Sequence, residues 1–411
     1  MALAVPAACA SASETLTLEQ AIARAFAANP SLRAISHAPA IADAEREQAG
    51  ALPNPELSYL REGSDTHTVQ LSQTLELGGK RSARIGVADR QRELASDAVA
   101  MQRASLRADV TAAYLEALVA AQRVELAQAE ADLAAQATSA ASRRVAAGKI
   151  SPLEQTRSSV AEAAARLELT KAIATSTLAR RRLATLCAEP NIGVRPTGSD
   201  PGFRVRPLGS DPGVRFTTPA LIEAPMPPLQ ELMARLDDSP ALRHARSSIN
   251  HAAAQANLER AKRIPDLTLT LGRKREPTNP ARTQTVAGVA IPLPLFDSNK
   301  GNMLAALRRT DQARDEMEAD RQRLHEAVAD AWQRADVARI QITAISESVL
   351  PPAQEAYAAA VKGFELGKFS FLDVLDAQRT LFQARAQYLS ALSERYRAIA
   401  DLQRYIESPA P

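Results

Sequence analysis

Two periodicities divide the chain. From Thr68 to Leu77 the odd positions read Val69, Leu71, Gln73, Leu75 and Leu77, and the even ones read Thr, Gln, Ser, Thr and Glu. Leucines stand at 267, 269 and 271, and from Thr285 to Leu295 the odd positions run Thr, Ala, Val, Ile, Leu, Leu. Alternation with period two predicts strands, the longer ones about ten residues long. Elsewhere proline is absent and glycine almost so, from about Lys80 to Ala147 and from about Asn302 through Gln333 to Val349. Some 65 residues of helix would span on the order of 100 Å, a length that belongs to coiled coils rather than to globular packing. Pro351 and Pro352 are expected to kink or offset the second of these helices.

The same order of elements is written twice. Asn29-Pro30-Ser31-Leu32-Arg33 returns as Ser239-Pro240-Ala241-Leu242-Arg243, and Leu52-Pro53 before ELSYL returns as Ile264-Pro265 before LTLTL. TLELGGKR (74–81) returns loosely as PLFDSNKG (294–301), and AGKIS (147–151) as LGKFS (366–370). The expected organisation is a tail or signal-peptide remnant at 1–15 and a first repeat at 16–187, with strands at about 55–77 and long helices at about 80–187. An equatorial insertion follows at 188–228, then a second repeat at 229–406 with strands at about 266–296 and helices at about 301–406, then a tail at 407–411. Within the insertion RPTGSDPGFRV is followed at once by RPLGSDPGVRF, a tandem near-copy of eleven residues. Its Pro, Gly, Asp and Ser favour turns and offer no apolar face, so it reads as a loosely packed insertion and not a binding motif.

Alternation alone fits a soluble hairpin pair as well as strands that cross a bilayer. About ten residues is also what a tilted transmembrane strand needs, and the very long helices favour that second reading. Two hairpins cannot close a barrel, and an open sheet edge in lipid leaves backbone groups unpaired, so strands in a membrane require an oligomer. No run of 18 or more apolar residues occurs. The balance of 50 basic against 47 acidic residues leaves +3, which lacks the footprint of a nucleic-acid binder. Cys9 and Cys187 form neither a disulfide framework nor a metal cluster. The small-residue stretch around Cys9 looks like the end of a longer secretory signal, which makes Cys9 a candidate lipidation site although Pro6-Ala7-Ala8 fits poorly before it.

Internal duplication, paired strands, long helices and Gly-centred turns together resemble the TolC-like outer-membrane efflux proteins, from about Leu16 to Ile406. LSQTLELGGKR (71–81) resembles most the cobalt-zinc-cadmium resistance branch. The resemblance implies a mainly α fold with a membrane β-barrel. Long antiparallel helices would form a trimeric α-barrel in the periplasm, and four strands per protomer would complete a twelve-stranded barrel in outer-membrane lipid. It implies a homotrimer, a periplasmic adaptor protein and an inner-membrane pump of the resistance-nodulation-division class, with no cofactor. The function implied is a passive exit duct for divalent heavy-metal cations. The alternatives are the same duct carrying drugs, organic compounds or secreted protein, and, from another class, a periplasmic coiled-coil adaptor or scaffold.

The two Gly-Lys turns carry the candidate site. Gly148 and Gly367 suit the left-handed position that ends a helix. By resemblance the turns are also adaptor-docking tips, made of Ala147, Gly148, Lys149 and Ile150 in one and Leu366, Gly367, Lys368 and Phe369 in the other. Ser151-Pro152-Leu153-Glu154 reads as a helix-capping box, and Ser370-Phe371-Leu372-Asp373 has the same form, so helix capping is a sufficient reason for Glu154 and a competing one for Asp373. Asp376 lies a turn further on the same face, where capping no longer needs it. The family's two-acid run matches 371–377, which makes Asp373 and Asp376 the candidate constriction of a closed entrance. Like charges gathered there would attract cations. Glu154, Lys368 and Phe364 are the gate contacts the resemblance implies. Phe369 stands where well-known members carry a locking arginine, so that lock departs here. His37, His67, His244, His251 and His325 make no metal-ligand spacing, and no nucleophile elbow, phosphate loop or zinc-protease motif occurs, which argues against an enzyme.

Overall fold

The computed structural model describes residues 15–62, 66–148, 150–188, 215–216, 226–275, 283–366 and 368–406. Cys9, most of the tandem near-copy, Lys149, Gly367 and the tail after 406 lie outside the described residues.

The first half runs through a two-residue strand β1 (Thr15–Leu16) and helices α1 (Leu18–Ala28), α2 (Pro30–Ser36) and α3 (Ala38–Gly50). Strands β2 (Glu56–Glu62) and β3 (Thr66–Leu75) follow, then helices α4 (Lys80–Ala146) and α5 (Pro152–Leu186). After β4 (Arg215–Phe216) come α6 (Leu229–Arg235), α7 (Pro240–Ala261), β5 (Leu267–Arg275), β6 (Thr283–Ala290), α8 (Lys300–Ala344), α9 (Leu350–Glu365) and α10 (Phe371–Ile406). At 67 residues α4 is about 100 Å long. The duplicated Asn-Pro and Ser-Pro sequences have one local cause, a side-chain cap. The Asn29 carboxamide oxygen accepts from the amides of Ser31 and Leu32 at 3.0 and 3.1 Å, and Ser239 Oγ accepts from the amide of Leu242 at 3.3 Å.

The chain divides into two compact units that each draw on both repeats. One unit, residues 33–102 and 236–324, contains an antiparallel sheet in the order β2-β3-β5-β6. Leu57, Leu71, Leu271 and Ala287 stand opposite one another across it. Leu271 and Val289 are 62% and 67% exposed, so the apolar face is uncovered in the single chain. On the other face Ser72 Oγ and Thr270 Oγ1 share a hydrogen bond of 3.2 Å. Gly272 is required by close approach, since a Cβ there would stand 2.6 Å from the carbonyl oxygen of Val69. The sequence TLELGGKR turns strand into helix. Gly78 and Gly79 both have φ near +70° (71° and 72°). Asp266 accepts from the amide of Leu77 at 3.1 Å and pairs with Lys80 at 2.7 Å, while Arg84 pairs with Glu76. Its hydrogen bond to Glu76, with the nearby charges of Glu76 and Asp266, raises the Arg84 pKa against the cost of burial.

Two strand ends differ from the pattern. β3 stops at Leu75 because Leu77 donates to Asp266 instead of to the ladder. β6 stops at Ala290, not near 296, because Pro292 and Pro294 have no amide to donate.

The other unit, residues 1–32, 103–235 and 325–411, is helical and packed on alanine. Ala131 and Ala134 of α4 meet Ala165 of α5, and Ala117, Ala120 and Ala179 make a second contact. Methyl side chains hold helices without bulk, and alanine costs the helix nothing. Charge clamps add registry. Arg334 of α8 donates to Glu394 and Asp401 of α10 at 3.3 and 3.0 Å, and to Asp330 at 2.9 Å; these bonds raise its pKa although burial acts the other way. The insertion, expected to pack loosely, is anchored where its described residues meet the helical unit. Residues 215–216 pair in parallel with 15–16, and the Phe216 ring meets Tyr114 edge-on at 5.3 Å and packs on the Ala117 cluster. Trp332 of α8 donates from Nε1 to the carbonyl of Pro227 at 3.1 Å.

The offset expected at Pro351-Pro352 takes the form of one wide turn, Ile345–Val349, hydrogen-bonded i to i+5. Proline lacks an amide and its ring collides with the carbonyl four residues back. The wider turn just before it relieves that collision without breaking the helix.

Candidate site at the two helix-end turns

Both turns belong to the helical unit. In the first, α4 ends as the amides of Ala147 and Gly148 bond to the carbonyls of Arg143 and Val145 at 3.1 and 2.9 Å. Gly148 has φ +67° with no atom within 4 Å of where a Cβ would stand, so conformation, not space, selects glycine. Ser151 caps α5 by accepting from the amide of Leu153 at 3.3 Å, with Pro152 at the first helical position. Glu154 is half-buried and does not complete a capping box with Ser151.

The second turn is tied more tightly. The Gly363 carbonyl accepts from the amides of both Lys368 and Phe369, at 2.8 and 3.2 Å. The Phe369 ring folds back onto Gly363, and a Cβ on Gly363 would lie 2.1 Å from a ring carbon. Ser370 and Asp373 then cap α10 reciprocally. Asp373 Oδ2 accepts from the Ser370 amide and hydroxyl, both at 2.8 Å, and the Asp373 amide donates to Ser370 Oγ at 3.3 Å. Asp373 thus does the work of a cap. Asp376, one turn on, is exposed, and its carboxylate has no hydrogen bond or ion pair among the described residues. Val374 and Gln378 are buried on the opposite side of α10.

Among the described residues a contact joins the two turns, and nothing in the local sequence announces it. The Arg144 guanidinium lies 3.9 Å from the centre of the Phe364 ring and also donates to the Phe364 carbonyl at 3.4 Å. Of the residues expected as gate contacts, Phe364 is therefore engaged, but by Arg144. Glu154 and Lys368 form no ion pair with each other among the described residues. Both turns present apolar side chains: Leu366 is 64% exposed and Phe369 49%, and Leu153 and Leu372 on the following helices are 57% and 45% exposed. Among the described residues no helix is long and apolar enough to cross a membrane, and no group of three or more His, Cys, Asp or Glu side chains could hold a metal ion.

Strands with an uncovered apolar face, long paired helices and two capped turns are the parts that a channel-type protein of this family would need. The chain belongs to the outer membrane efflux protein family, whose model matches residues 21–189 and 233–407. It is 41% identical to the cobalt-zinc-cadmium resistance protein CzcC of Cupriavidus metallidurans, over 95% of this chain and 90% of that one. It is 30% identical to the nickel and cobalt resistance protein CnrC of the same organism, over 77% of this chain and 73% of the other. Among solved structures it resembles the outer-membrane channel OprN, with a TM-score of 0.76 at 20% identity over 95% of this chain and 90% of that one. VceC of Vibrio cholerae matches with a TM-score of 0.73 at 19% identity, over 94% of each chain. At these identities the likeness concerns the fold. The protein is thus an efflux channel protein of the outer membrane. Its family and structural neighbours are channel proteins, not enzymes.

Proposed function

We propose that three copies of this chain form a passive exit duct for divalent heavy-metal cations, energised by an inner-membrane resistance-nodulation-division pump through a periplasmic adaptor. The cargo follows from the metal-resistance relatives, above all the 41% identity to CzcC. The entrance is assigned to the two turns, where Leu366, Phe369, Leu153 and Leu372 would receive the adaptor's apolar side chains. The observation that carries the mechanism is the difference between the two acids of α10. Asp373 is bound into a cap, whereas Asp376 is exposed and unpaired on the same face. Three such carboxylates around an axis would attract cations and admit a divalent ion between them. Tight, many-toothed coordination would slow release, so a loose acidic ring suits a duct better than a chelating cage.

The test is ion conductance in planar bilayers with Asp376→Asn beside the wild type. Wild type should pass cations selectively and be blocked by divalent ions from the entrance side, and Asp376→Asn should lose most of both properties while Asp373 still caps the helix. Equal block and selectivity in the two proteins would remove Asp376 from the gate. Growth of a deletion strain on zinc, cobalt, cadmium, nickel, copper and antibiotics then separates metal cargo from organic cargo.

A further inference from the structure

The uncovered face of the sheet changes character toward the β2–β3 and β5–β6 hairpin ends. Its middle row is Leu57, Leu71, Leu271 and Ala287. The next row toward the hairpins is Tyr59, Val69, Arg273 and Thr285, and the last is Arg61, His67, Arg275 and Thr283. Residues directly opposite share a face, and each row lies two residues beyond the one before, about 7 Å. Three arginines from two strands therefore stand on the lipid side, about 7 to 14 Å above the leucine row. No strand position on that face carries a carboxylate: Glu56 and Glu62 belong to the other face, where Glu62 pairs with Lys274 at 3.1 Å. Arg273 and Arg275 are exposed and have no hydrogen bond or ion pair among the described residues. Tyr59 and His67 stack at 5.9 Å with a 2.7 Å bond between Oη and Nδ1, placing an amphipathic aromatic pair at the boundary between leucine and arginine.

We propose that Arg61, Arg273 and Arg275 form a phosphate-binding row that takes the anionic phosphates of outer-leaflet glycolipid at the rim of the barrel. Arginine on a lipid-facing strand is costly at mid-bilayer and nearly free at the interface, so the row must stand at headgroup level. There its planar forks meet phosphate oxygens with matching geometry. The inference rests on the sheet forming a wall of an outer-membrane barrel.

The experiment uses the full chain in phosphatidylcholine nanodiscs, titrated with bisphosphorylated lipid A, with the same lipid stripped of its phosphates, and with inorganic phosphate. Wild type should retain lipid A, bind the dephosphorylated lipid no better than phosphatidylcholine, and ignore inorganic phosphate. Replacing all three arginines by glutamine should weaken lipid A binding roughly a hundredfold, and Arg273→Gln alone, which serves if the triple variant does not assemble, roughly fivefold. The corresponding lysine variants should keep most of the binding. Lipid A binding unchanged by the glutamine substitutions, or equal binding of the dephosphorylated lipid, would overturn the proposal, and competition by inorganic phosphate would make the row a soluble-anion site instead. Carbonate extraction and bilayer conductance of the same preparations test the barrel itself. Protein that washes off the membrane defeats both readings, whereas conducting protein indifferent to lipid A defeats this one alone.

Discussion

The two helix-end turns begin from nearly the same sequence, AGKISPLE and LGKFSFLD, and are held in different ways. Among the described residues the first is held by the backbone bonds that end α4, a left-handed glycine and a serine cap, with open space around Gly148. The second is a clasp: a carbonyl shared by two amides, a phenyl ring lying on Gly363, and a reciprocal Ser-Asp cap. A duplicated turn can thus acquire different bonds in its two copies. The more heavily bonded copy precedes Asp373 and Asp376, and under the proposed entrance ring side-chain direction would matter most there. A ring of charges works only if each carboxylate is held where the others can reach the same ion.

The largest effect should come from Gly363→Ala. A Cβ at that position has to expel the Phe369 ring, costing about 2 kcal/mol, and the Lys368 and Phe369 amides should exchange with solvent more than tenfold faster. Adding Phe369→Ala should recover most of the loss. Gly148→Ala meets no neighbour and should cost only the strain of its φ, about 1 kcal/mol, with no second substitution able to relieve it. Equal penalties at the two glycines would mean that the ring contact contributes nothing.

Next in size is the contact that joins the turns. Arg144→Ala removes a cation–π contact and a carbonyl bond worth about 1 kcal/mol together, and the channel should open more often in bilayers. Arg143→Ala, one residue earlier and exposed, is the control. If both variants gate alike, the Arg144–Phe364 pair does not hold the turns together. The smallest contrast lies in the caps. Asp373→Ala should loosen the first turn of α10 by about 1 kcal/mol and Ser151→Ala the first turn of α5 by about half that, read as amide exchange at Asp373 and at Leu153.

Much of this organisation is legible in the sequence because it rests on local rules. The alternation at 68–77 and 267–271 marks strands whatever surrounds them, and the lack of proline between 80 and 146 marks α4. Ser370-Phe371-Leu372-Asp373 forms the cap its spacing predicts. What is not legible depends on partners far away in the chain. Phe216 looks like part of a turn-rich duplication until Tyr114 and the Ala117 cluster are seen against it. Arg144 and Phe364 are separated by 220 residues, and neither neighbourhood carries a sign of the other. Gly363 reads as an ordinary helix-weakening residue because the ring that needs its bare Cα belongs to the next turn. The end of β6 was open to inference from Pro292 and Pro294, but the run of apolar residues beyond them obscured it.

The wide turn at Ile345–Val349 also keeps time. Ala331 and Ala338 are buried seven residues apart, and so are Ala353 and Ala360, but the interval from Ala338 to Ala353 is fifteen, two sevens and one more. A straight helix loses phase against a seven-residue beat by about 20° each time, and a single intercalated residue advances the count by about 100°, as a leap day corrects a calendar. The consequence is that length and orientation are coupled here. Removing or adding one residue within 345–349 would leave the following helix much the same length yet turn it about its own axis, so that α9 would present a different side chain at every position down to Phe364.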